Sequence, residues 1–478
     1  MLRHYKISCI IALTASIALV VIGCSGQKKI SEHASRFPLE KRSTNPSDAQ
    51  IVLYARAESK ELPSFSLSIR KVVLNREDGK QYELPSVKIN LRSEDLIRQQ
   101  KLVLIGDAPE GSYNGLTLFV EKVNHTDEAS ETRVITIEHP FSVIAGNSKS
   151  IFLLISKPKP QEQSQLQELR FTVEDEQSQL LERLVYVANE GSSNISVVSK
   201  KLGRAVYNIL VGTQPSAIAA DNRRNRLYIA DRKEGVIYEL DMNTQHLVKA
   251  TQFEFTDEPV HLLPIPHKDL VVVVNYGSDN INLLDAFTLG ITRTITVGDG
   301  PIDAVYSSSY DRLFVLNQRF GTMSVIDLSS ESEEPDTTLF LEMEPTGIAI
   351  DDNLDWLYIT SAGSTNLTVM RISNLGVEKT ITVGGGASCI AFDPYGRRIY
   401  IGSKATQEII CVDPYTGVLV YTVELPASPD KLFFDTDERL LYATVPELDG
   451  IAVLDPMHRK IERWIETGRK PKSIAFRS

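Results

Sequence analysis

The chain has 478 residues, with 51 Lys and Arg against 62 Asp and Glu, eight His, four Cys and a net charge of −11. Its length supports more than one folded unit. The acidic balance repels phosphate backbones, and no Lys/Arg run carries interleaved aromatics, so nucleic acid is excluded as a partner. The sequence holds no Cys-x-x-Cys-His, His-Glu-x-x-His, Gly-x-Ser-x-Gly or phosphate-cradling glycine pattern, so neither a metal nor a cofactor is expected.

At the N-terminus, Arg3 and Lys6 precede an apolar run from Ile7 to Val21 that ends at Val21-Ile22-Gly23-Cys24. The run is short for a membrane-spanning helix and suits a signal peptide. It resembles a bacterial lipoprotein signal, with a simple uncleaved anchor and an ordinary secretory signal as the alternatives. That resemblance implies removal of residues 1–23, acylation of Cys24 with a palmitate-type lipid, and a membrane partner reached through the anchor. Ser25 after the cysteine resembles the outer-membrane sorting pattern, which implies a cell-envelope protein on the periplasmic or outer side. Residues 24–48, polar and carrying Pro38 and Pro46, are expected to form a flexible tether.

Residues 49–157 alternate like strands at Ile51 to Leu53, Ser64 to Asn75, Val87 to Leu91, Lys101 to Ile105, Asn114 to Val123, Arg133 to Ile137 and Ser150 to Ser156, which predicts a β-sandwich. The stretch Gly106 to Tyr113 is similar to the strand-leading loop of immunoglobulin-like or prealbumin-like domains. Residues 158–182, opened by Lys157-Pro158-Lys159-Pro160 and rich in Gln and Glu, read as a linker with one further strand near Leu169 to Val173. The linker's length predicts two domains that are not rigidly fused.

From Leu184 onward one pattern recurs at steps of about 42 to 44 residues, the period of a four-stranded blade that needs neighbours to bury its faces. Anchors stand at Tyr186, Tyr228, Val272, Phe314, Tyr358, Tyr400 and Tyr442. Prolines stand at Pro215, Pro259, Pro301, Pro345, Pro429 and Pro471, with Ala387 in the remaining place, and strands close on Ser199, Asp241, Asp285, Asp327, Arg371, Asp413 and Asp455. Residues 183–478 are therefore expected to form a seven-bladed β-propeller. The first repeat lacks an inner strand and the chain ends on one, Pro471 to Phe476, so pairing of the two would close the ring and remove an exposed edge.

Tyr186-Val187-Ala188-Asn189, Asn194 to Val198, and Thr294-Ile295-Thr296-Val297-Gly298 before Pro301 resemble the YVTN-type β-propeller repeat family. The resemblance implies a seven-bladed extracytoplasmic ring, and it carries fold further than function.

Candidate functional residues follow from that placement. Tyr276, Arg319, Phe320, Arg232 and Arg469 fall on loops around one mouth of the ring, and Arg, Tyr and Phe there are the residue types that anchor interfaces; each also reads as a solvated turn. His261, Asp303, Asp430 and Lys431 are the polar exceptions on inner strands otherwise carrying apolar or small side chains. Gly384-Gly385-Gly386 reads as a turn between blades. His261 and His267 read as strand and turn more readily than as metal ligands, for no third ligand is near. Cys389 and Cys411 lie two strands apart in one blade, beyond disulfide reach.

Two function classes remain. One is a lipid-anchored binding or scaffold module that holds a protein, peptide or glycan at the propeller face. The other is an enzyme of lactonase-like or lyase-like type, which would need the four inner-strand groups to converge. The binding reading is preferred because the inner strands are mostly apolar.

Overall fold

The structure, a computed structural model, describes residues 48–478 apart from 59–61, 63, 86–88, 123–131, 158–168, 175–182 and 343. The signal peptide, Cys24 and nearly all of the tether lie outside the described residues. Among those described, no helix is long and apolar enough to cross a membrane.

The chain is nearly all β. Its first part forms β1 (Asp48–Ala57), β2 (Ser66–Arg76), β3 (Gln81–Glu83), β4 (Ile89–Arg92), β5 (Lys101–Pro109), β6 (Gly111–Lys122), β7 (Arg133–Val143), β8 (Ser148–Ser156) and β9 (Arg170–Glu174), with one short helix at Ser93–Arg98. One sheet runs β5-β1-β8-β9; the other runs β3-β2-β6-β7, with β4 also on β2. Strands β1 and β8 pair in parallel. Period-two alternation sends Ile51, Leu53 and Ala55 of β1, and Ile151, Leu153 and Ile155 of β8, into a core shared with Leu67, Leu74, Leu116 and Leu118 of the facing sheet.

One expectation is corrected here, and the further strand expected near Leu169 to Val173 is present. Gly106 to Tyr113 is not a strand-leading loop: β5 runs through Pro109 and β6 starts at Gly111, so the chain passes between the sheets at Glu110. Within 158–182, Arg170–Glu174 pairs with β8 and belongs to the first sheet.

Residues 184–476 form seven four-stranded antiparallel sheets, consistent with a propeller. Sheet 1 combines Pro471–Phe476 with Leu184–Asn189, Asn194–Ser199 and Arg204–Leu210. Sheets 2 to 7 start at Pro215, Pro259, Pro301, Pro345, Ala387 and Lys431, and each is built of consecutive strands. Every first strand touches the next, and Pro471–Phe476 touches the first strands of both sheet 2 and sheet 7, so the contacts run in a cycle.

The repeated residues each have a packing reason. Tyr186, Tyr228, Phe314, Tyr358 and Tyr400 are buried between sheets. Asp241, Asp285, Asp413 and Asp455 accept N–H groups two and three residues onward, which turns the chain into the fourth strand. The glycine ahead of the proline and the polar residue ending the second strand are matched. A Cβ at Gly298 would lie 2.5 Å from Asn317 Nδ2, and one at Gly212 would lie 2.1 Å from Asp231 Oδ2.

The first unit is packed against the repeat sheets, contrary to the expectation of loosely joined domains. The faces of β1 and β8 that turn away from the sandwich core carry Val52, Tyr54 and Phe152, which pack with Val185, Val187 and Val198 of sheet 1 and with Tyr442, Ile451 and Val453 of sheet 7. Polar groups cross the same junction. Gln50 Nε2 donates to the Ser192 carbonyl and its Oε1 accepts from Asn194 Nδ2, both at 2.7 Å. Asn208 Nδ2 donates to Tyr54 Oη at 3.3 Å and Ser150 Oγ at 3.2 Å. Lys101 Nζ lies 2.6 Å from Glu466. Gln50, Asn194, Ser150 and Asn208 are buried, so each needs the partners it has.

Candidate functional site

A first strand has one edge bonded to its own sheet, while its other backbone groups need partners elsewhere. Side chains from the adjoining sheet supply several. Ser216 Oγ donates to the Pro259 carbonyl at 2.8 Å, and Ser388 Oγ donates to the Pro429 carbonyl at 3.0 Å. Ser473 Oγ accepts from the Ile218 N–H at 3.2 Å, and Asp303 Oδ2 accepts from the Ile348 N–H at 3.3 Å. The polar exceptions on these strands are thus partly the ties between sheets.

His261 and Asp303 come together, with Nδ1 3.2 Å from Oδ1. Burial lowers the imidazole's pKa; Asp303 opposes that shift and Lys431 adds to it, leaving a neutral ring at neutral pH. Asp303 fixes the Nδ1 side, but Nε2 is buried without a partner rather than open to a substrate. Asp430 belongs to a different group. Its carboxylate lies 3.1 Å from both Lys404 Nζ and Lys472 Nζ, and Lys472 is 4.0 Å from Glu190. Burial would raise the Asp430 pKa, but Lys472 and Lys404 hold it below the usual carboxylate range. The Lys431 N–H donates to Thr444 Oγ1 within its own sheet. Asp430 is thus drawn to Lys404 and Lys472, while Lys431 reaches the His261–Asp303 pair through its charge.

Other nucleophile and metal chemistry finds little support among the described residues. Cys389 and Cys411 are free and buried. Burial pushes the Cys389 thiol up to about 11, far from a reactive thiolate. No group of three His, Cys, Asp or Glu side chains among the described residues could hold a metal ion.

At the loop mouth, Tyr276 is half-buried rather than an exposed anchor. Its ring lies between two guanidinium groups, Arg319 at 4.7 Å and Arg232 at 5.3 Å from the centroid. Arg232 pairs with Glu258 at 2.6 Å, and Arg319 lies 3.6 Å from Asp279. The backbone of Arg469 serves the junction of sheets 7 and 1: its N–H donates to Ser192 Oγ at 2.9 Å, and its carbonyl accepts from the Gly191 N–H. Phe320 is 64% exposed.

Sequence reasoning passed over two further aromatics on this side. Phe255, in the connection from sheet 2 to sheet 3, is 71% exposed, and Phe340, at the end of the fourth strand of sheet 4, is 87% exposed. Phe340 pairs with Thr322, two residues past Phe320, which brings the two phenylalanines to one end of sheet 4. A signal was available for Phe340: the corresponding fourth-strand ends in sheets 2, 3, 5, 6 and 7 carry Gln252, Thr296, Thr382, Glu424 and Glu466, all polar, and sheet 1 carries the smaller Leu210.

No protein-family model matches the chain. It is 25% identical over 135 residues to the uncharacterized protein YncE of Salmonella typhimurium, a match covering 27% of this chain and 38% of that relative's length. Among solved structures, a functionally unknown protein of Desulfotomaculum acetoxidans aligns with a TM-score of 0.55 at 11% identity, over 61% of this chain and 98% of the other. A 6-phosphogluconolactonase-like protein of Bacteroides uniformis aligns with a TM-score of 0.51 at 16% identity, over 62% of this chain and 99% of the other. At such identities the likeness concerns the fold.

Proposed function

We propose that the chain is a lipid-anchored, extracytoplasmic binding module: a seven-bladed propeller of YVTN type, closed by its C-terminal strand and braced by an N-terminal sandwich, that holds a partner at its loop mouth. The observation that carries the binding reading is the pair Phe320 and Phe340, both exposed at one end of sheet 4 beside the Arg232–Tyr276–Arg319 stack. Exposed phenylalanines next to positioned arginines are costly to leave in water and suit a protein interface. The Arg3 to Cys24 pattern supports the anchor. The enzyme reading loses ground because Asp430 is held by Lys404 and Lys472 and the His261 Nε2 is buried without a partner.

Crosslinking in native membranes, followed by capture of the tagged protein, tests this reading against a Phe320→Ala, Phe340→Ala double variant. A discrete partner lost in the variant is expected, and unchanged capture in both forms would count against this face. Cys24→Ala should move the protein from the membrane to the soluble fraction; if it stays bound, the lipid anchor is wrong.

A further inference from the structure

The loop mouth is not electrically uniform, and its charge bears on what covers the exposed phenylalanines. Around Tyr276 the arginines are matched from within the chain, Arg232 by Glu258 and Arg319 by Asp279. The connections that carry the phenylalanines add acids beyond those pairs. Glu254 and Asp257 flank Phe255, and Glu342 and Glu344 follow Phe340, so carboxylates outnumber Lys233, the remaining cation of this sector. Glu254, Glu342 and Glu344 are exposed. The opposite sector, where sheets 6, 7 and 1 meet, is balanced: Lys404, Arg469, Lys470 and Lys472 stand beside Glu190, Asp430, Glu447 and Asp449, with Lys404 and Lys472 paired to Asp430.

Among the described residues, the sandwich does not compete for the acidic sector. Its apolar contacts fall on sheets 1 and 7, and its hydrogen bonds on Ser192, Asn194, Ala205, Asn208 and Glu466. Phe255, Phe320 and Phe340 stand on sheets 2 to 4 and the connections that follow them. Phe255 lies in the connection that abuts the Tyr276 loop, since Thr256 closely approaches Gly277 and the Tyr276 N–H donates to the Glu258 carbonyl. The three aromatic tips thus follow one another along the rim from sheet 2 to sheet 4, with the Tyr276 stack between them.

We infer that this rim is a docking surface for a cationic, extended polypeptide segment of a partner protein, whose apolar side chains cover Phe320, Phe340 and Phe255 while its Lys or Arg side chains meet Glu342, Glu344 and Glu254. The inference rests on the binding function proposed above and specifies its partner class. Complementary charge speeds encounter and selects against acidic partners, and burial of the aromatic tips supplies the affinity. An acidic rim disfavours an anionic lipid surface or a nucleic acid at the same place.

Fluorescence anisotropy on the full chain tests it, using a labelled Lys-rich peptide with two Trp, the same peptide with Glu for Lys, and an oligolysine without Trp. The Lys/Trp peptide should bind, and raising salt should weaken it. Affinity should fall about tenfold or more in Phe320→Ala, Phe340→Ala and in Glu342→Lys, Glu344→Lys. Lys470→Glu, in the opposite sector, should leave it unchanged. All these positions are exposed, and circular dichroism melts confirm that the variants fold. Equal binding of the Glu peptide, full binding of oligolysine alone, or binding indifferent to the loop variants overturns the inference. If the membrane crosslinking then still yields a partner lost in the phenylalanine variant, the face is right and the partner class wrong; if it yields none, the binding function fails with it.

Discussion

Lys200 Nζ lies 2.6 Å from Asp435 Oδ2, and the two side chains are 1% and 2% exposed. One comes from sheet 1 and the other from sheet 7, so the pair spans the junction where the cycle of sheets closes, with the ammonium 5.2 Å from the Phe476 ring centroid. Removing one member leaves a buried charge without its counterion. Asp435→Asn or Lys200→Met should each cost about 3–5 kcal/mol, while Lys200→Met, Asp435→Leu together should recover much of that loss. Urea denaturation of the three variants measures it; additive losses would show that the pair is not coupled.

Deleting 470–478 removes Pro471–Phe476 and bares the edge of Leu184–Asn189, to which it pairs antiparallel. The shortened chain should melt well below the full one and aggregate on heating, because an unpaired strand edge recruits other chains. An unchanged melting temperature would refute closure by this strand.

Gln50 ties the sandwich to sheet 1 through two buried hydrogen bonds. Gln50→Ala strands the Asn194 amide and the Ser192 carbonyl, at a cost of about 1–3 kcal/mol. Because the sandwich and sheets 1 and 7 share one apolar cluster, the wild-type chain should unfold in a single transition. Calorimetry that resolves two well-separated transitions would overturn this.

Gly468 sits where a Cβ would lie 2.4 Å from Ser192 Oγ and 2.6 Å from Asn194 Oδ1, and its N–H donates to Ser196 Oγ at 3.0 Å. Gly468→Ala should destabilise the protein by about 1–3 kcal/mol through overpacking. Gly385→Ala, with nothing within 4 Å of its Cβ position, is the control and should be nearly silent. Equal effects at the two positions would remove the packing argument.

Asp241 and Asp285 are held below the usual carboxylate range: burial would raise them, but backbone N–H groups of Thr244 and Asn243, and the N–H and hydroxyl of Thr288, outweigh it. Asp327 is lowered by the Ser329 hydroxyl and N–H. A depressed folded value means stability present above the unfolded value near pH 4 and lost as pH falls through the folded one. Glu466 runs the other way: burial raises it against Lys101, so its protonated form is favoured in the fold and its contribution is lost as pH rises. Asp285→Asn should therefore flatten the fall in stability below pH 4, read from urea midpoints; an unaltered slope would deny that this carboxylate contributes.

The repeat was legible because each of its marks answers a local demand. The Tyr anchor fills the space between sheets, the Asp turns the third strand into the fourth, and the Gly at 298 makes room for Asn317. These demands recur at fixed offsets in most of the seven sheets, so periodicity reveals them without any knowledge of the fold. The pairing of Pro471–Phe476 with Leu184–Asn189 was legible for the same reason, since one repeat lacked the strand that this segment supplies.

The candidate site was legible only in its ingredients. Tyr276 looked exposed by its loop position, yet Arg232 and Arg319 come from the neighbouring loops to cover it. His261 and Asp303 meet across two sheets, while Asp430 is drawn off by Lys404 and Lys472. Sequence alone determined the strands, their count per repeat and the ladders that hold them in register, because those depend on neighbours a few residues away. Only the tertiary structure decided that the sandwich seals the junction of sheets 1 and 7. Gln50 and Asn208 are satisfied only when the opposing face is present, and no local pattern announces a hydrogen-bond partner more than a hundred residues away.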